Sequence, residues 1–172
     1  LDMSRIESGK MTVDSRPLSI EMLGCDLESL MRQQLEGKGI RFAMRLKVRD
    51  PMVMGDEQKL RQVMINLLSN AGKFTPSGGT ISLIIEQVCE AQQGRARYHF
   101  AVKDSGVGIA KADQLRIFNA FEQSELANES AGRPQGTGLG LAISSNLIQA
   151  MGGQIELDSE PGRGANFHFV LD

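Results

Sequence analysis

The chain has 172 residues, of which 41% are hydrophobic and 23% are charged, and its formal net charge is −2. This length and composition suit one globular domain with a short appendage, and the small negative charge argues against a general nucleic-acid-binding surface. No apolar run approaches the length of a membrane span, and Cys25 and Cys89 are expected to be reduced thiols.

The first half of the chain predicts helices and one strand. Residues 1–10 are typical of the end of a helix, and because the chain begins with Leu1 we interpret it as a fragment of a longer protein. Ser19 is placed to cap a helix, and Arg41–Val48 alternates between polar and apolar residues as a half-buried strand does. Asp56 is placed to cap a second helix. The expected buried stripes are Ile20, Leu23, Leu27, Leu30 and Met31 in the first helix, and Leu60, Val63, Met64, Leu67, Leu68 and Ala71 in the second.

The second half predicts mostly strands. The predicted strands are Thr80–Val88, Ala96–Asp104, Gln154–Asp158 and Asn166–Leu171, with a hairpin connection at residues 92–94 and a third helix at Leu139–Met151. This order indicates a two-layer α/β sandwich, in which helices cover one face of a mixed sheet. The other face carries Arg45, Lys47, Arg97, His99, Lys103 and His168, so we expect it to face solvent.

Three polar residues of the second helix share one face. Asn66, Asn70 and Lys73 are spaced by four and three residues, beside the apolar stripe. Amide oxygens suit a hard cation and a lysine suits phosphate, although a polar helix flank would show the same spacing.

Two glycine-rich segments complete the pattern. Asp104 opens D-S-G-V-G-I on the buried side of a strand, where a carboxylate needs a partner such as the amine of a purine. An ordinary turn is the alternative interpretation. G-T-G-L-G-L, at residues 136–141, leads directly into the third helix and so predicts an anion site at its N-terminus.

These segments resemble the sequence boxes of sensor histidine kinases. Arg61–Thr75 resembles the N box, Asp104–Ile109 the first glycine box, Ile117–Gln123 the F box, and Gly136–Ile143 the second glycine box. All four occur in the order of the family. The resemblance implies the Bergerat ATP-binding fold shared by gyrase, heat-shock-90, kinase and MutL ATPases. It also implies that residues 1–10 end a dimerisation and phosphoacceptor hairpin, and that residues 11–172 form the catalytic domain.

The resemblance implies a set of site residues and two cofactors, ATP and Mg²⁺. Asn70 corresponds to the magnesium ligand, Asn66 and Lys73 to the catalytic residues beside the phosphates, and Asp104 to the carboxylate that reads adenine. Phe118 and Phe121 would anchor a mobile lid. The complete expected nucleotide-binding set is Asn66, Asn70, Lys73, Asp104, Gly106, Gly108, Ile109, Phe118, Phe121, Gly136, Thr137, Gly138, Leu139, Gly140 and Leu141.

Some positions depart from the family pattern. Pro134 and Gln135 precede the second glycine box, where many relatives carry another glycine, and this puts the dynamics of the lid in question. Gly72 replaces an apolar residue inside the N-box helix, at a local cost of up to roughly 1 kcal/mol.

The function that the resemblance implies is transfer of the γ-phosphate of ATP to a histidine on a separate dimerisation domain. A hydrolytic ATPase of the same fold is the first alternative, but those relatives have a glutamate where this chain has Asn66. A degenerate nucleotide-sensing module is the second. The implied partners are the dimerisation domain of a homodimer and a response regulator or receiver domain, and F-E-Q in the F box resembles hybrid kinases. We expect a cytoplasmic fragment without nucleic-acid or membrane contacts, from a parent that could be anchored in the inner membrane.

Overall fold

A five-stranded sheet is the frame of the computed structural model, which describes residues 11–92, 95–119 and 138–172. Its strands are β2 (Arg41–Lys47), β4 (Thr80–Gln92), β5 (Arg95–Asp104), β6 (Glu156–Ser159) and β7 (Ala165–Leu171), in the spatial order β2-β4-β5-β7-β6. β2 is parallel to β4, whereas the other neighbours are antiparallel. The sheet is therefore mixed, as the sequence predicts.

Helices pack against one face of this sheet and form the second layer. They are α1 (Ile20–Gly37), α2 (Glu57–Phe74) and α3 (Gly140–Ala150), and a short 3₁₀ turn occupies Arg116–Phe118. The central part of the core between the layers includes Leu27, Met64, Leu67, Leu68, Leu83, Phe100, Ile148 and Phe169. This arrangement confirms the predicted two-layer α/β sandwich. Within the described residues, no helix is both long and apolar enough to cross a membrane.

The predicted caps begin α1 and α2. Ser19 Oγ accepts a hydrogen bond from Met22 N at 3.1 Å, and Asp56 Oδ1 accepts one from Lys59 N at 3.1 Å. Asp56 Oδ2 also accepts from Lys59 Nζ at 2.6 Å and from Asp14 N at 3.0 Å. Burial alone would raise the pKa of Asp56, but these donors together hold it below its ordinary value. Asp56 thus connects Asp14, in the segment before β1, to the start of α2.

The buried stripe of α2 is confirmed at all six predicted positions, whereas that of α1 is wrong at one. Leu30 is 54% exposed, and Leu35, which was not predicted, is 1% exposed. Leu30 lies at the edge of the apolar stripe, where the adjacent Met31 makes the core contact of that turn. The stripe continues to Leu35 because the helix crosses α2 near its C-terminal end, where a β-carbon on Gly72 would lie 2.8 Å from Leu35 Cδ2.

A second, two-stranded sheet was not predicted. β1 (Arg16–Ser19) pairs antiparallel with β3 (Met52–Gly55), and Leu18 lies opposite Val53. Four residues give too few alternations to identify β3 from sequence, and the strand exists through its pairing with β1.

The sheet face opposite the helices is largely exposed, as expected. Arg45, Lys47, Arg97 and Lys103 are exposed or partly exposed, whereas His99 and His168 are half-buried. The two histidine rings contact each other edge to face, with 5.5 Å between their centroids. Cys25 is an exposed free thiol. The predicted helix end at residues 1–10 lies outside the described residues.

Candidate functional site

The carboxylate of Asp104 is the buried acid of the site. It ends β5 on the helix-facing side of the sheet, where the period of two predicts it, and the residue is 8% exposed. Its Oδ1 accepts hydrogen bonds from Gly106 N at 2.8 Å and from Ala165 N at 3.3 Å. Burial raises the pKa of Asp104, and the two N–H donors oppose that shift only in part. Among the described residues, no hydrogen bond ends on Oδ2, so this oxygen is available to a ligand.

The glycines that follow Asp104 let the loop pass between two other backbone segments. A β-carbon on Gly106 would collide with the carbonyl oxygen of Phe74, at the end of α2, and Val107 N donates to that same oxygen at 3.2 Å. Gly108 has a φ of +73°, and a β-carbon there would collide with Glu160 O. Backbone contacts inside the protein therefore already require these two glycines. Their contact with a purine stays a prediction.

The sequence did not predict the side chains that hydrogen-bond to the loop after Asp104. Ile109 N donates to Ser159 Oγ at 2.9 Å, and Ser159 Oγ donates to Gly164 O at 2.7 Å. Gln114 Nε2 donates to Ile109 O and to Ser159 O, at 3.1 and 2.8 Å. Ser159 lies 50 residues from Ile109 in the chain, and no local pattern connects them.

The three polar residues of α2 lie along one side of the helix, but they differ in environment. Asn66 Nδ2 donates to Ser144 Oγ of α3 at 2.8 Å. Asn70 is half-buried, and its side chain has no hydrogen-bond partner among the described residues. Lys73 is exposed in the last turn of α2. Within the described part of the chain, the Asn66 amide thus has one hydrogen bond, through its nitrogen, whereas the Asn70 amide has none at either end.

The second glycine segment brings the start of α3 against α2. Gly138 has a φ of +69°, Leu139 is the N-cap residue without a side-chain cap, and α3 begins at Gly140. A β-carbon on Gly140 would lie 2.3 Å from Asn66 Oδ1, so glycine at this position leaves the Asn66 side chain where it is. The first turn of α3 contains no acidic residue, which leaves its N–H groups suited to an anion. Leu141 packs against the core.

A cavity of about 800 Å³ lies between α2 and α3. Its lining includes Asn66, Gly140 and Ser144 of the two helices, and Met11 and Thr12 of the segment before β1. Two cationic side chains, Lys59 and Arg61, lie at its wall. Lys59 is ion-paired to Asp56, and Arg61 is ion-paired to Asp26 and Glu57. Asp104 does not line this cavity. The cavity therefore belongs only to the end of the site next to the start of α3.

The predicted lid is described only in part. Phe118 packs its ring edge to face on Phe167 of β7, with 6.2 Å between the centroids. Phe121, Gly136 and Thr137 lie outside the described residues, as do Pro134 and Gln135. Their predicted roles stay predictions.

The chain is similar in sequence to one protein family and to sensor kinases within it. The family model for histidine kinase-, DNA gyrase B- and HSP90-like ATPases matches residues 55–172. The chain is 35% identical to sensor protein GacS of Pseudomonas syringae pv. syringae, over 99% of this chain and 18% of that protein. It is 34% identical to signal transduction histidine-protein kinase BarA of Escherichia coli K12, over 100% of this chain and 18% of that protein. The chain thus spans about a fifth of the length of these curated relatives.

A solved structure has the same fold over nearly the whole chain. Full-length ShkA, crystallised in complex with AMPPNP, superposes with a TM-score of 0.81 at 35% identity, over 99% of this chain and 33% of that chain.

Proposed function

The chain belongs to the histidine kinase-, DNA gyrase B- and HSP90-like ATPase family, as a catalytic domain of the sensor histidine kinase type, and from this premise we propose that it transfers the γ-phosphoryl group of ATP to a histidine outside the chain. One observation carries the proposal: α2 touches both glycine segments. Its last carbonyl group holds the loop after Asp104, and its Asn66 lies against Gly140. A single rigid helix therefore sets the distance between a base-reading acid and an anion-binding helix start.

The adenine end of the proposed site is Asp104. Oδ1 is occupied by two backbone N–H groups, so Oδ2 accepts a hydrogen bond from the exocyclic amine of adenine. Guanine presents a carbonyl oxygen at that position, and two acceptors would then face each other in a buried pocket. The site therefore selects ATP over GTP.

The phosphate end consists of the start of α3 and the polar side of α2. The N–H groups at Gly138–Gly140 and the ammonium group of Lys73 bind phosphate oxygens. The half-buried amide of Asn70, which has no partner among the described residues, fits a hard cation such as Mg²⁺. When bound, Mg²⁺ neutralises charge on the phosphates during transfer. These groups position the γ-phosphoryl group and perform no proton transfer themselves.

Asn66 favours phosphoryl transfer over hydrolysis. An amide cannot take a proton from an attacking water, whereas the glutamate of hydrolytic relatives can. The cavity beside Asn66 has a volume of about 800 Å³, which is within the usual range for ligand sites.

The proposed partners rest on the similarity to sensor histidine kinases. The acceptor histidine lies on a dimerisation hairpin of which residues 1–10 are the end, and residues 11–172 are the catalytic domain. A response regulator or receiver domain takes the phosphoryl group afterwards.

The chain incubated with labelled ATP and Mg²⁺ tests the proposal. We expect no stable label on the chain itself, because its only histidines, His99 and His168, lie in β5 and β7 on the sheet face opposite the helices. A supplied dimerisation hairpin should become labelled at its histidine, and the same hairpin with that histidine replaced is the control. Label on His99 or His168, or phosphate release that outpaces labelling of the hairpin, would overturn the proposal.

A further inference from the structure

The hydroxyl of Ser144 is a buried polar group that the proposed function does not use. Ser144 lies on α3 and is 1% exposed, in the interface with α2. A buried hydroxyl is costly unless it is hydrogen-bonded, and an aliphatic side chain would fill the same space without that requirement. Its partner among the described residues is Asn66, whose Nδ2 donates to Ser144 Oγ at 2.8 Å.

The side chain of Asn66 also lies close to the first turn of α3. Gly140 and Ser144 are four residues apart and so share one face of the helix. A β-carbon built on Gly140 would lie 2.3 Å from Asn66 Oδ1, so this oxygen lies close to the first turn of α3, while Ser144 Oγ accepts a hydrogen bond from Nδ2. The nitrogen of the amide therefore points to Ser144, and its oxygen lies next to the proposed phosphate end.

We propose that Ser144 is a positioning residue for Asn66: its hydroxyl fixes which end of the amide faces the reacting phosphoryl group. This inference rests on the proposed function, since the reaction gives the orientation its importance. Without the hydroxyl, the amide can turn over and present N–H donors where the structure places an oxygen. Binding of ATP depends mainly on Asp104, the start of α3 and Asn70, so we expect it to change little.

The test compares Ser144→Ala with Ser145→Ala, which removes the hydroxyl of the next, half-buried residue of the same helix. Serine-to-alanine changes raise helix propensity, so both variants should fold, which circular dichroism verifies. Ser144→Ala should slow transfer to the supplied hairpin at saturating ATP by about 2-fold to 12-fold, the range that one neutral hydrogen bond contributes. The dissociation constant for ATP should stay within about twofold, and Ser145→Ala should match the wild type in both measurements.

A double-mutant cycle with Asn66→Ala distinguishes a positioning role of Ser144 from a purely structural one. If Ser144 acts through Asn66, Ser144→Ala adds no further loss of rate in the Asn66→Ala background. A loss of the same size in both backgrounds, or a transfer rate equal to that of Ser145→Ala, would overturn the inference.

The side-chain amide of Asn66 gives a readout without phosphoryl transfer. Its two N–H signals are assigned in an NMR spectrum by their absence from Asn66→Ala. Ser144→Ala should shift at least one of them, and Ser145→Ala should shift neither. If the wild type transfers no phosphate, the proposed function fails and this spectrum alone decides the orienting contact: unchanged Asn66 signals in Ser144→Ala would show that the contact does not exist.

Discussion

Replacing Asp104 by asparagine changes one atom at the centre of the proposed adenine site. The oxygen of the introduced amide can still accept from Gly106 N and Ala165 N, so the loop keeps its hydrogen bonds. The other position becomes an N–H donor that faces the amine of adenine, another donor. A mismatched hydrogen bond in a buried site costs about 1–3 kcal/mol, so we expect the affinity for ATP to fall by about 5-fold to 150-fold. GTP, whose carbonyl oxygen now faces a donor, should lose less affinity or gain some.

The stability of Asp104→Asn, compared with that of the wild type, measures the effect of the buried Asp104 charge on folding. Burial raises the pKa of Asp104 in the folded chain, so Asp104 contributes stability below the ordinary carboxyl pKa. That contribution disappears as the pH rises through the raised pKa. Asparagine has no such titration, so the stability of Asp104→Asn relative to the wild type should increase as the pH rises from below the ordinary carboxyl pKa through the raised pKa of Asp104. Urea unfolding at several pH values measures this difference without nucleotide.

Isothermal titration with ATP and with GTP measures the affinities. Glu160→Gln, which neutralises an exposed carboxylate on the turn beside Gly108, is the matched control and should bind ATP as the wild type does. The reasoning is refuted if Asp104→Asn binds ATP within twofold of the wild type, or if the wild type binds GTP as tightly as ATP.

Other substitutions test single contacts. Asp56→Ala removes a helix cap and a partly buried ion pair, so the free energy of unfolding should fall by about 2 kcal/mol near neutral pH. The loss should shrink in acid, as the pH falls through the lowered pKa of Asp56, and an equal loss at all pH values in chemical denaturation would contradict this. In a helix, Gly→Ala normally raises the free energy of unfolding by up to about 1 kcal/mol. Gly72→Ala should not give this gain, because its β-carbon would lie 2.8 Å from Cδ2 of buried Leu35. Gly37→Ala, which has open space around it, is the control and should be neutral or stabilising in thermal denaturation. Asn70→Ala should keep its circular dichroism spectrum but lose the dependence of ATP affinity on Mg²⁺, and a wild-type dependence would exclude it as the ligand.

Much of the fold could be predicted because helix and strand periods are local. The stripe of α2 lies where a period of 3.6 places it, and Asp104 is buried because it lies six residues after Tyr98 on an alternating strand. The two helix caps were readable for the same reason: each cap bonds a backbone group three residues away. Short or marginal signals failed, as at β3 and at Leu30.

The candidate site divides in the same way. The sequence by itself determined which residues share a face: the amides of α2, the acid that ends β5, and the glycines that start α3. Only the tertiary structure decided what those faces meet. Asn66 reaches Ser144 across 78 residues, and Asp104 reaches Ala165 across 61. Such pairings depend on how helices cross and how strands are ordered in the sheet, and that information is carried by packing of the whole core rather than by the spacing of any one segment.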